Sequence, residues 1–145
     1  MASIMRRMNV ISRCESIYRT ELFGEELPGI FHSYILAICA KPGMSQDKLA
    51  KYLCLNKSNV ARHLAKLEKN GYIERKVCAE DKRELLVYPT EKMHEIYPEV
   101  VRITREWNVL VAEDVSEEEL NVFHKVLDKM LVKSREIVYG EEPAE

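Results

Sequence analysis

The stretch SQDKLAKYLCLNKSNVARHLAKLEK, residues 45–69, constrains the fold more than any other part of the chain. Ser45 is suited to cap a helix, Asp47 falls in its first turn, and Leu49, Ala50 and Leu53 form one inward face. Cys54 and Leu55 make a turn, and Asn56 caps a second helix. At about 100° per residue, Val60, Leu64 and Leu67 share a narrow arc of that second helix, with Ala61 at its edge. Ser58, Asn59, Arg62, Lys66 and Lys69 fall on the opposite side, with His63 on the flank. A short helix, a tight turn and a polar-faced helix form a helix-turn-helix. A solvated helix face ordinarily mixes charge signs, whereas this one carries Arg62, Lys66 and Lys69 and no acid. Asn, Ser, Arg and His are also the side chains that reach base edges and phosphates.

Residues 71–88 read as a wing. Gly71 lies just past the helix, where a C-terminal cap belongs. Residues 72–77, YIERKV, and 84–88, ELLVY, have the composition of strands, and the charged segment CAEDKR separates them. An ordinary surface hairpin has no need of Lys82 and Arg83 together at its apex. Pro89 and Thr90 are expected to end the second strand and cap a long helix over 91–113, kinked at Pro98. Ser116 and Glu119 make a capping box for a last helix that runs to about Tyr139. Upstream, helices over 4–22 and 31–40 are separated by a loop with Pro28 and Gly29 as breakers. The expected fold is mainly α with a small β-wing.

The chain carries a net charge of −2, which does not advertise a nucleic-acid partner, but its charge is unevenly placed. Residues 41–90 hold eleven basic and six acidic groups, a net of +5, while residues 91–145 hold seven basic and fourteen acidic, a net of −7. A basic middle beside an acidic end predicts a local electrostatic footprint. The longest uncharged run, residues 27–40, is too short to span a bilayer, and MASIMRRMNV lacks a signal-peptide core, so a cytoplasmic protein is expected. Cys14, Cys39, Cys54 and Cys78 form no CxxC pair and are expected as reduced thiols, with neither metal nor cofactor. His32, His63, His94 and His124 are scattered over four helices, and no phosphate-binding glycine loop or nucleophile elbow is present, which argues against an enzyme.

The last helix carries a long apolar stripe of Leu120, Phe123, Leu127, Met130, Leu131, Ile137 and Val138. Packing on the chain's own first helix is one use for it, and a partner subunit is the simplest use of the surplus. The length suits a single domain over 1–145, or a compact domain with appended helices, with an acidic tail at 140–145.

Residues 44–92 resemble the winged-helix core of the multiple antibiotic resistance regulator (MarR) family. The matching pieces are Ser45-Gln46-x-x-Leu49-Ala50, Lys57-Ser58-x-Val60-x-Arg62, Leu67-Glu68-x-x-Gly71-x-Ile73-x-Arg75, Asp81-x-Arg83 and Thr90-Glu91-Lys92. One departure is Met93, where the family usually has a glycine. The resemblance implies a homodimeric transcriptional repressor bound to double-stranded DNA, with a DNA-binding lobe at 31–90 and dimerisation helices at 1–22 and 91–139, the first and last helices of both subunits interlocked. It assigns Ser58, Asn59, Arg62 and His63 to the major groove, Arg83 to the adjacent minor groove, and Asp81 to orienting the wing. Lys57, Lys66 and Lys82 are phosphate contacts on charge and placement. Many relatives release DNA when a small aromatic or phenolic acid binds. The corresponding effector candidates here are Tyr18, His32, Ile35, Cys39 and Trp107, with Arg13 as a carboxylate partner. Two alternatives stay open. One is a thiol switch, although Cys14 sits later in the first helix than the cysteine of peroxide-sensing relatives. The other is a winged helix that docks proteins; such modules tend to lose the cationic face and the wing arginine, and this chain keeps both.

Overall fold

The computed structural model describes residues 3–140, so residues 141–145 of the expected acidic tail lie outside the described part. In chain order the elements are α1 (Ile4–Phe23), α2 (Phe31–Ala40), β1 (Met44–Ser45), α3 (Gln46–Leu53), α4 (Lys57–Lys69), β2 (Ile73–Val77), β3 (Leu85–Pro89), α5 (Glu91–Val111) and α6 (Glu117–Tyr139). The chain divides into two compact units between Arg105 and Glu106.

Short polar side chains set the helix starts. Ser45 holds extended backbone and accepts from the Lys48 amide at 3.3 Å, which opens α3. Asn56 accepts from the Ser58 amide at 2.9 Å, which opens α4. The Ser116–Glu119 box is complete: Ser116 N–H donates to the Glu119 carboxylate at 2.9 Å, and Glu119 N–H donates to Ser116 Oγ at 3.3 Å. The exit from α4 runs through Asn70 and then Gly71 at φ +80°, a left-handed conformation that glycine adopts without strain. Between α3 and α4 the left-handed position falls instead on Cys54, at φ 53°.

The three strands are antiparallel in the order β1-β3-β2. β3 is central: Val87 pairs with Met44 on one side and Arg75 on the other. Pro89 ends β3 as expected, paired with Ile73. Thr90 directly precedes α5, and its hydroxyl donates to the Gly71 carbonyl at 2.6 Å, tying the start of α5 to the end of α4. α5 then runs unbroken through Pro98.

The core of the first unit gathers Tyr34, Ile35 and Ile38 of α2, Leu49 of α3, Val60, Leu64 and Leu67 of α4, and Val87 of β3. Met93 and Val100 extend it along α5, with Met93 fully buried, so the departure from glycine fills space rather than disturbing the helix. Each such aliphatic chain contributes about 1.5–3 kcal/mol by leaving water. Gly29 brings the loop after α1 against that helix: a Cβ there would lie 2.4 Å from the Ser16 carbonyl oxygen. Gly29 N–H donates to Thr20 Oγ1 at 2.8 Å, and that hydroxyl donates to the same Ser16 carbonyl. The second unit is largely α6, which has no buried residue and leaves Val122, Phe123, Val126, Leu131, Ile137 and Val138 exposed. No helix among the described residues is long and apolar enough to cross a membrane.

Candidate nucleic-acid interface

The buried arc of α4, Val60, Leu64 and Leu67, turns its opposite side outward, and Ser58, Asn59, Arg62, Lys66 and Lys69 are all exposed there. Arg62 Nη2 donates to Asn59 Oδ1 at 3.0 Å, so two expected base readers hold each other in the free protein. Lys57 pairs with Asp47 at 2.8 Å, with both side chains mostly exposed. A pair that open to water is worth little. Lys66 holds its ammonium 5.5 Å from the centre of the Phe31 ring.

His63 is half-buried. Its Nδ1 lies 2.9 Å from the Tyr34 hydroxyl, which leaves one ring nitrogen for an outside partner. Burial, then the charges of Arg62 and Lys66, hold its pKa below the ordinary histidine range.

At the wing, Arg83 is almost fully exposed and Lys82 is exposed. Asp81 accepts from the Arg83 amide at 3.0 Å and from its Nε at 3.2 Å. The same hydrogen bonds lower the Asp81 pKa, keeping the carboxylate charged. A cleft of about 90 Å³ lined by Ser45, Gln46, Asp47, Arg83, Glu84 and Leu85 lies where the wing base meets the start of α3. The nine residues singled out for DNA therefore fall on two presented elements, α4 and the β2–β3 tip.

The effector candidates are placed differently. His32 and Ile35 are fully buried in α2, Cys39 and Tyr18 are half-buried, and Arg13 is exposed on α1. Trp107 belongs to the second unit and is half-buried. Burial pushes the Cys39 thiol pKa up, which suppresses the reactive thiolate. No group of His, Cys, Asp and Glu among the described residues could hold a metal ion.

Several supporting residues escape a reading of the sequence. Arg19 looks like a surface residue of α1, yet it is buried, paired with Glu15 and 3.4 Å from Thr104 Oγ1. Tyr34 reads as plain core. Glu68 and Arg75 stand in the family-like motif without an assigned role, and the structure joins them at 2.6 Å. Spacing offers a signal for Glu15 and Arg19, an i,i+4 pair; the other partners are tertiary.

Comparison with known proteins places this architecture. The MarR family model matches residues 33–85. The uncharacterized HTH-type transcriptional regulator YybA of Bacillus subtilis (strain 168) is 31% identical over 99 residues, 68% of this chain. That alignment spans 66% of YybA, just under two thirds of its length. The HTH-type transcriptional regulator BilQ of Clostridium symbiosum (strain WAL-14163) is 30% identical over 97 residues, 67% of each protein. A MarR family transcriptional regulator from Listeria monocytogenes, solved in complex with a 26mer DNA, is 28% identical with 100% of both chains covered and a TM-score of 0.83. The helix-turn-helix, the three-stranded wing and these matches together show that the chain belongs to the MarR family of winged helix-turn-helix transcriptional regulators.

Proposed function

We propose that this protein binds a pseudo-palindromic operator as a homodimer and represses transcription until a small acidic effector releases it. The observation that carries the DNA reading is the acid-free outward face of α4 beside the exposed, Asp81-braced Arg83 of the wing. In this reading Ser58, Asn59, Arg62 and His63 face base edges in the major groove. An arginine fork reads guanine and an asparagine amide reads adenine. Lys57, Lys66 and Lys82 take phosphates, and Arg83 enters the minor groove, where a narrow A·T tract concentrates negative potential. The DNA complex of the Listeria relative supports DNA as the partner.

Two exposed apolar faces support a second copy as partner. One, on α1, sets Val10 and Ile11 beside Arg6 and Arg7; the other, on α6, sets Val122, Phe123 and Val126 beside Glu118 and Glu119. Apolar surface of that kind, edged by opposite charges, suits a self-association interface. A two-fold dimer would set its recognition helices about 34 Å apart, one turn of duplex. Effector release is carried over from the family resemblance, with Arg13 as the candidate carboxylate partner.

Selection from a pool of random duplexes, repeated at two salt concentrations, tests the reading. The expected product is a two-fold site with half-sites one turn apart, bound by a species of twice the chain mass. Sequence-blind binding that vanishes with salt would reduce α4 to a basic patch.

A further inference from the structure

His63 differs from its neighbours on the outward side of α4, because another helix grips its ring. Phe31 and Tyr34 of α2 both meet the imidazole edge-on at centroid distances of 5.5 Å. Tyr34 is fully buried, and its hydroxyl lies 2.9 Å from His63 Nδ1. Two arrangements fit that distance. If the hydroxyl donates to Nδ1, the phenol hydrogen is satisfied and Nδ1 is the acceptor. If Nδ1–H donates to the phenol oxygen, the phenol hydrogen is left in the core without this acceptor, which costs more than an ordinary hydrogen bond returns. Burial holds the phenol pKa up at about 12, so Tyr34 keeps its proton to donate. The first arrangement therefore prevails, and the imidazole carries its hydrogen on Nε2, the nitrogen turned away from Tyr34.

We propose that Tyr34 is a positioning residue for DNA recognition: its buried hydroxyl locks His63 as an uncharged donor, whose Nε2–H takes a hydrogen-bond acceptor on the duplex. The acceptor is a purine N7, a thymine O4 or a phosphate oxygen. The inference rests on the DNA-binding reading above and deepens it. A locked donor does something that Arg62 and Lys66 do not. It adds no charge, so it contributes little to salt-dependent affinity. It also cannot accept, so it disfavours base edges that offer only an amino group, such as cytosine N4. Arg62 and Lys66 on α4 oppose protonation of the ring, and protonation would require Tyr34 to turn from donor to acceptor.

The test joins spectroscopy to binding, on the full chain. Two-bond nitrogen–proton correlations of the imidazole report the tautomer, with the His63 signals assigned by their loss in His63→Gln. The wild type is expected in the Nε2–H form, and Tyr34→Phe, which keeps the ring and removes only the hydroxyl, is expected to give a mixture of tautomers. Binding is then measured on the selected operator and on a scrambled duplex, with thermal melts confirming that each variant is folded. His63→Phe should lose roughly 3- to 10-fold on the operator, one neutral hydrogen bond's worth. His63→Gln, whose amide N–H can replace Nε2–H, should recover most of that loss, and Tyr34→Phe should lose about 2-fold or more. Relaxed preference at one position per half-site identifies a base edge as the acceptor; a uniform loss identifies a phosphate. An Nδ1–H tautomer in the wild type, or equal operator affinity for wild type and His63→Phe, overturns the proposal while leaving DNA recognition intact. A wild type that selects no sequence overturns the DNA reading itself, and this inference with it.

Discussion

Arg75 of β2 closes on Glu68 of α4 through three hydrogen bonds. Its amide reaches Oε1 at 3.1 Å, its Nε reaches Oε2 at 3.1 Å, and its Nη2 reaches Oε2 at 2.6 Å. A fourth, from Nη1, reaches Gln46 Oε1 at 3.3 Å. One guanidinium thus spans the start of α3, the last turns of α4 and the wing. Because Glu68 is partly open to solvent, screening discounts the charge, and Glu68→Ala is expected to cost about 1 kcal/mol. Arg75→Lys should recover little of what Arg75→Ala loses, since an ammonium lacks the planar fork. Urea midpoints at constant slope are the measurement; a midpoint unmoved by Glu68→Ala would show that the brace adds nothing to stability.

His32 predicts how stability varies with acid. It is fully buried, neither ring nitrogen has a hydrogen-bond partner among the described residues, and Phe23 packs edge-on at 4.8 Å. Burial, then the charge of Arg19, pushes its pKa down to about 4. The unfolded chain takes up a proton below the ordinary histidine value of about 6.5, and the folded chain does so only near 4. Stability is therefore whole above pH 6.5 and falls between there and pH 4, by up to about 1.4 kcal/mol per unit. His32→Phe should flatten that window relative to the wild type. Parallel pH profiles for the two proteins would show that the loss comes from other groups.

Arg62 and Lys66 lie four residues apart on one exposed face, yet their surroundings separate them. Arg62 is poised on Asn59, while Lys66 rests over Phe31. Arg62→Ala should weaken the selected operator by roughly 1–3 kcal/mol and relax one base position per half-site. Lys66→Ala should weaken all duplexes about equally and lower the salt slope by about one. Affinities over a salt series on specific and scrambled DNA decide it, and indistinguishable variants would refute the division of the face.

Cys54, at φ 53°, carries a side chain where glycine is at ease. Its amide is held by the Ala50 and Lys51 carbonyls, so the turn cannot relax. Cys54→Gly is expected to raise stability by up to about 1 kcal/mol, as relief of left-handed strain outweighs the added freedom of the unfolded chain. Thermal denaturation under reducing conditions gives the sign, and a lower midpoint would mean that chain entropy wins.

Much of the fold and of the candidate DNA surface is legible in the residues, for local reasons. Ser45, Asn56 and Ser116 announce helix starts because a short oxygen beside its own backbone needs no distant partner. The apolar period of α4 exposes its polar face whatever packs beneath. β1 is not legible: its two residues become strand only because β3 offers them an edge, and two residues cannot show alternation. The grip of Tyr34 on His63 crosses 29 positions of sequence, and that of Arg75 on Gln46 crosses the same number, so neither pairing leaves a periodic trace. Arg19 on α1 reads as solvated until α5 brings Thr104 against it. The residues that present chemistry are visible in the sequence, while those that aim it are not.

Ser45 ends β1 and caps α3 at once, and β1 hangs on the strand that also carries the wing. The wing tip and the helix-turn-helix are therefore jaws of one caliper with a common spine. If α4 and the wing take adjacent grooves as proposed, a duplex whose grooves do not match the span would have to bend to be gripped, and its stiffness would weigh against it before any base is touched. Sequence far from every side-chain contact would count in the choice of site for that reason alone.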